Sequence, residues 1–314
     1  MRPSITATLY TDPGCPWAYS ALPALRALDW RYGEGLEWRL VLIGLTERAE
    51  QYEERGYTPL RSARGQTTFR RFGMPFSPSP KARVSATAPA CRAVVAVRHL
   101  QPGAEWHALR ALSLAQFTTR LLLDDADGVS AVAAVAAGLD QAAVREAIDD
   151  DAVIEAYEAD RAEARTAAGT PAELQDKTAR TDGPVRFTAP SLVLERGGDR
   201  LVAGGWQSLD AYDVLVANLD PAIARRQPPD DAAELVAVYP EGLVTQEAAV
   251  VMARGNDTPD RAAAELALLE AVGDRRAERI PAGDDALWTA PGSTALRSAL
   301  EAAAAAARRV PAPA

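Results

Sequence analysis

Cysteine, histidine and lysine are nearly missing from this chain of 314 residues, and each scarcity closes off a class of function. The two cysteines, Cys15 and Cys91, stand far apart. They rule out a disulfide scaffold and fit a reducing compartment, so a cytoplasmic protein is expected. The two histidines, His99 and His107, leave few ligands for zinc, and no metal site is expected. Among 34 basic residues only Lys81 and Lys177 are lysine. With so much alanine, this reads as coding bias and not as a binding signature. No run of about 18 apolar residues occurs, which excludes a predicted transmembrane helix. Residues 1–10 show no charged-then-apolar signal segment. A formal charge of −9 argues against nucleic acid or anionic membrane as a partner.

What remains is ordinary globular material, 48% apolar and 25% charged, enough for one large core or two modest ones. Residues 4–10 alternate and are rich in β-branched side chains, predicting a strand. A Pro/Gly/Cys loop follows. Residues 16–32 carry leucines on one helical stripe, with Pro16 suited to the first turn and Pro23 inside the helix. Residues 36–45 predict a buried strand, closing a βαβ unit. Residues 47–80 read as a long surface loop with a short helix. Helices are predicted over 88–100, 104–122, 129–137, 141–149 and 152–168. A hairpin over 191–195 and 200–203 turns at Gly197-Gly198-Asp199. Ser208 is a good N-cap for a helix over 209–219.

A Pro-rich, charged linker at 221–231 precedes a second unit. Helices are predicted at 232–238, 245–254 and 258–272, the last capped by Thr258, then a hairpin over 277–289. Helices followed by a small hairpin suggest a winged helix at 232–300. Residues 301–314 are Ala-rich, then Pro-rich, and are expected to be a disordered tail. DNA binding is not expected. From Asp230 to Ala314 the chain has 14 acidic against 8 basic residues, and phosphate contacts need clustered Lys or Arg. A docking or dimerising module, with a homo-oligomer as one candidate, is the expectation.

Cys15 lies after a strand and at a helix start. Free N–H groups and the helix dipole there favour a thiolate, giving a pKa anywhere from roughly 3.5 to 7.5 against about 8.5 unperturbed. Three features resemble the DsbA-like branch of the thioredoxin superfamily, over about residues 4–219. They are Cys15-Pro16-Trp17-Ala18, the helical stretch after the first βαβ unit, and Thr188-Ala189-Pro190-Ser191 just before a strand. The cytoplasmic members are the nearest in character: thiol-dependent oxidoreductases, 2-hydroxychromene-2-carboxylate isomerases and kappa-class glutathione transferases. The resemblance implies an α/β thioredoxin fold over 1–220, with a helical insertion at about 82–180. It implies Cys15 as nucleophile or redox centre, and Pro190 in the cis form facing it. Ala189 leaves space near the sulfur, and Pro16, Trp17 and Ala18 complete a binding face.

Ala18 occupies the place of the family's second cysteine, so Cys15 has no resolving partner in the motif. Three options stay open. Cys15 forms a mixed disulfide resolved by a small thiol such as glutathione or mycothiol, or the site binds such a thiol and activates its sulfur, or the site is relict. The leading expectation is a single-cysteine thiol oxidoreductase with a small-thiol co-substrate and no tightly bound cofactor. A transferase or isomerase, and an inert binding or assembly protein, are the alternatives. Cys91, in an apolar helical stripe, reads as a buried structural thiol. Both histidines read as structural or solvent-facing, and Asp149 to Asp151 as a helix-boundary cluster. Trp17 is either a substrate platform or a packing residue. Arg61, Arg64, Arg70 and Arg71, interleaved with Phe69 and Phe72, read as a solvated basic loop that could instead close over an anionic thiol.

Overall fold

A computed structural model describes residues 4–310. Its central layer is a four-stranded sheet. Strand β1 (Ile5–Thr11) runs parallel to β2 (Leu36–Leu42), in register from Ile5 opposite Leu36 to Thr11 opposite Leu42. The helix α1 (Pro16–Tyr32) makes the crossover between them. On its other edge β1 pairs antiparallel with Ser191–Arg196, which turns back into Asp199–Ala203. The order is therefore that of a thioredoxin fold, with the first strand central.

Side chains of a strand alternate between faces, and here both faces are covered. Leu192 and Leu194 join Ile5, Ala7 and Leu9 beneath α1 and the helix Leu209–Leu219. Val193 points the other way, into a cluster with Tyr10, Val41, Phe187 and Cys15. Ser208 caps Leu209–Leu219 by accepting the Ala211 amide. The helical insertion comprises Ala88–Leu100, Glu105–Thr118, Ala126–Ala137, Gln141–Ala147 and Asp151–Ala164.

Beyond the linker come Ala232–Val238, Thr245–Met252, Arg261–Gly273 and a three-stranded sheet that includes the hairpin Glu278–Ala282 and Asp285–Thr289. Two sequence expectations fail in this region. The third helix begins at Arg261, with Asp260 as its cap accepting from the Ala263 amide, in place of Thr258. The expected disordered tail at 301–314 is instead helical as far as Arg309, in the helix Ala295–Arg309; residues 311–314 lie outside the described residues. Its stripe of Leu296, Ala299, Ala303 and Ala306 is buried in the same core as the insertion. The small side chains permit this. A Cβ placed on Gly128 would meet the Ala306 Cβ at 3.0 Å, so the two backbones approach closely only because neither residue is large.

The C-terminal segment is thereby tied to the rest. Arg110, from the insertion, makes a two-pronged salt bridge to Glu247 at 2.7 and 2.6 Å and also donates to the Gly242 carbonyl. Burial alone would raise the Glu247 carboxyl, but Arg110 holds it below the usual carboxylate range. Among the described residues no helix is long and apolar enough to cross a membrane.

Candidate functional site

The residues Asp12 to Cys15 form a tight turn between β1 and α1. The Cys15 amide donates to the Asp12 carbonyl at 3.1 Å, with Pro13 at the second position, where its fixed φ suits a turn. Gly14 is required by space: a Cβ there would lie 2.6 Å from the Thr87 methyl. Cys15 is the N-cap of α1 in extended geometry, its carbonyl accepting the Tyr19 amide, and Pro16 opens the helix. The turn thus fixes the sulfur at the helix start.

The sulfur is not held as a thiolate. Cys15 is only 6% exposed, and its thiol donates to the Ala189 carbonyl at 3.1 Å. Burial pushes the thiol up to about 12, with the Asp12 carboxyl adding to the rise. The Ala18 and Trp17 amides pull the other way and do not win. The expected lowered pKa is therefore corrected. Helix N–H groups do favour the anion, but the desolvation cost at this depth exceeds them.

The peptide bond between Ala189 and Pro190 is cis, and the Ala189 carbonyl abuts the sulfur. Of the remaining motif residues, Pro16 and Trp17 join Cys15 in lining a cavity of 840 Å³. Ala18 does not line it. It lies instead on a smaller cavity of 300 Å³ between α1 and the helix Glu105–Thr118. Trp17 is 41% exposed and packs edge-on against Phe69 at 4.9 Å between ring centres, so it serves as both wall and packing residue.

The cavity has a one-sided electrostatic lining. Arg55, Arg61, Arg64, Lys81, Arg83 and Arg186 line it, and no described aspartate or glutamate does. Arg61 and Arg64 come from the helix Pro59–Phe69, part of the basic loop picked out from the sequence. Arg70 and Arg71 are not in the wall: Arg70 pairs with Asp284 and Arg71 lies over the Phe72 ring.

Sequence reasoning missed Arg55, Lys81, Arg83 and Arg186, which come from three separate parts of the chain. It also missed Asp12, which lies beneath the motif. Asp12 accepts from the Gly14 and Leu45 amides and the Thr87 hydroxyl, each at 2.8 Å, and from the Cys91 thiol at 3.5 Å. Burial pushes its carboxyl up, and these four donors oppose the rise. Cys91 itself is buried in the insertion core, with its thiol pushed well up by burial.

Sheet order, helical insertion and a thiol at the start of the first helix define a thioredoxin-fold protein. The chain belongs to the DSBA-like thioredoxin domain family, whose sequence profile matches residues 6–187. Two solved structures share the fold. A probable DsbA oxidoreductase from Streptomyces coelicolor is 19% identical, with a TM-score of 0.52 over 72% of this chain and 93% of its own. A candidate protein disulfide isomerase from Nitrosomonas europaea is 17% identical, with a TM-score of 0.51 over 69% of this chain and 96% of its own. No curated protein matches the chain.

Proposed function

We propose that this DsbA-like protein is a thiol oxidoreductase that works through Cys15 alone, with a small anionic thiol as co-substrate. One observation carries the reading: Cys15 lies in the wall of an 840 Å³ cavity lined by six basic side chains and no described carboxylate. Glutathione fits such a lining through its two carboxylates. Mycothiol, which has no ionised group, gains nothing from the cations and is the weaker candidate.

The step balances without a second protein thiol. Cys15 gives up its proton and its sulfur attacks a bound disulfide R–S–S–R′, forming Cys15–S–S–R and releasing R′–S⁻, which takes the proton. A glutathione thiolate then attacks the R sulfur and releases G–S–S–R. Cys15 leaves as the thiolate and regains a proton. Holding the disulfide beside Cys15 raises the effective concentration of the reacting sulfur and offsets a small thiolate fraction. In this reading Pro16 and Trp17 shape the binding wall, and Ala189 and Pro190 align the substrate sulfur with Cys15. Ala18 leaves Cys15 without a neighbour to resolve it. The reading sets the protein in a reducing compartment, the cytoplasm. It also treats residues 1–220 as the catalytic unit, 221–231 as a linker and 232–300 as a winged-helix-like unit for assembly.

A second reading rests on the protonated state of Cys15. The single S–H that donates to the Ala189 carbonyl would leave that oxygen and turn to the thiolate of a bound glutathione, holding it in place for transfer or isomerisation. Intact mass after exposure to oxidised glutathione separates the two. The oxidoreductase reading expects one glutathione adduct on the wild type and none on Cys15→Ser. No adduct, together with turnover of an electrophile that requires added glutathione, would replace it with the second reading.

A further inference from the structure

Lys81 stands out in a chain whose basic residues are otherwise arginine, apart from Lys177. It lies in the irregular segment before the helix Ala88–Leu100 and lines the Cys15 cavity. Its ammonium donates to the Gln116 side-chain oxygen and to the Leu121 carbonyl, both neutral acceptors. An ammonium carries three N–H donors, so two such bonds leave one over. Among the described residues no carboxylate forms an ion pair with it. The acidic group whose charge acts on it is Asp124, one oxygen of which is taken by Arg83 at 2.5 Å and by the Ala86 amide at 3.2 Å. A part-buried ammonium without a counter-charge loses hydration that nothing replaces: desolvation lowers the Lys81 ammonium to about 7, against an opposing pull from Asp124. Of the other charged groups of the wall, Arg83 pairs with Asp124 and Arg186 with Asp182, while Arg55, Arg61 and Arg64 have no ion-pair partner among the described residues and add to the demand for an anion.

We propose that Lys81 is a carboxylate-docking point of the Cys15 cavity, its ammonium supplying the remaining donor to an anionic group of the bound small thiol. The inference rests on the reading that this cavity holds such a thiol, and it deepens that reading by naming the group recognised and the residue that recognises it. Binding is then linked to protonation. Below about pH 7 the ammonium is already charged and ready. Above that, an anion binds only by drawing a proton onto Lys81, so the apparent affinity falls up to about tenfold per pH unit. Arginine stays charged throughout this range, so only a lysine gives the dependence.

The test uses S-methylglutathione, which keeps both carboxylates and cannot exchange disulfides, with its carboxyl-esterified form as control. Titration calorimetry at about pH 6 and about pH 8 reads affinity and proton uptake together. The expected result is wild-type binding that weakens about tenfold at the higher pH, with protons taken up there. Lys81→Met should bind at least about tenfold more weakly at the lower pH and show a flat profile. Lys81→Arg should retain binding and lose the pH dependence, and the ester should bind weakly to all three. Wild-type affinity that is flat with pH, or a Lys81→Met variant that binds as the wild type does, overturns the proposal. Should Lys81→Met fail to fold, the wild-type profile and Lys81→Arg decide it. Adduct formation with oxidised glutathione separates the two failures. An adduct that forms equally fast on wild type and Lys81→Met sinks the docking role alone. Absence of both adduct and S-methylglutathione binding sinks the underlying reading and the docking role with it.

Discussion

In the ligand-free protein, Cys15 should be a slow nucleophile at neutral pH, and the size of the effect follows from its surroundings. Burial moves the thiol from the ordinary cysteine range up to about 12. At neutral pH the thiolate fraction falls tenfold for each such unit, so Cys15 should carry roughly a thousandth of the thiolate of a free cysteine. An exposure of 6% slows attack further by blocking approach. Iodoacetamide labelling, followed by intact mass, measures this. Cys15→Ser supplies the background, and Cys91, with no exposed surface, should contribute little. The logarithm of the labelling rate should climb with unit slope from neutral pH to beyond about pH 10, without levelling. A rate equal to that of free cysteine, or a plateau below about pH 8, would refute the reasoning. It would mean that the start of α1 outweighs burial after all.

Other perturbations follow from the same contacts. Glu247→Ala leaves Arg110 charged and buried, which should cost about 3–5 kcal/mol in urea unfolding, while the paired change Arg110→Met with Glu247→Leu should cost far less. Gly128→Val should force the last helix off the insertion and lower stability by about 1–3 kcal/mol, read as a lower denaturation midpoint. Cys15 should also shape stability at high pH. Because its folded pKa lies above the unfolded one, the unfolded chain loses its proton first, so stability falls as pH rises from about 9 towards 12. Cys15→Ser should lose less stability than the wild type across that window in thermal melts.

Much of the scaffold is legible in the sequence because its signals are local. The helix Ala88–Leu100 has the ends its apolar stripe predicts, and Leu209–Leu219 follows its Ser208 cap. The hairpin Ser191–Arg196 and Asp199–Ala203 follows from short apolar runs on either side of the Gly197-Gly198 turn. The last helix is misread because alanines alone carry little hydrophobic signal. Their burial makes sense only beside Gly128, more than 150 positions earlier in the chain.

The site divides in the same way. Cys15 and the turn that positions it are contiguous and readable. The cationic wall is not, because Arg61, Lys81, Gln116 and Arg186 reach one cavity from four separate segments. The protonation state of Cys15 is also beyond local reading. Helix-start chemistry can be inferred from spacing, whereas the opposing effects, burial of the sulfur against the Ala189 carbonyl and the charge of Asp12, depend on what the folded chain places around it.

A crystal of the protein soaked in oxidised glutathione tests the central claim most directly. The account predicts electron density running from the Cys15 sulfur into the cationic cavity, with a glutathione carboxylate against Lys81. Glutathione bound elsewhere, or joined to Cys91 while that cavity holds only solvent, would contradict it.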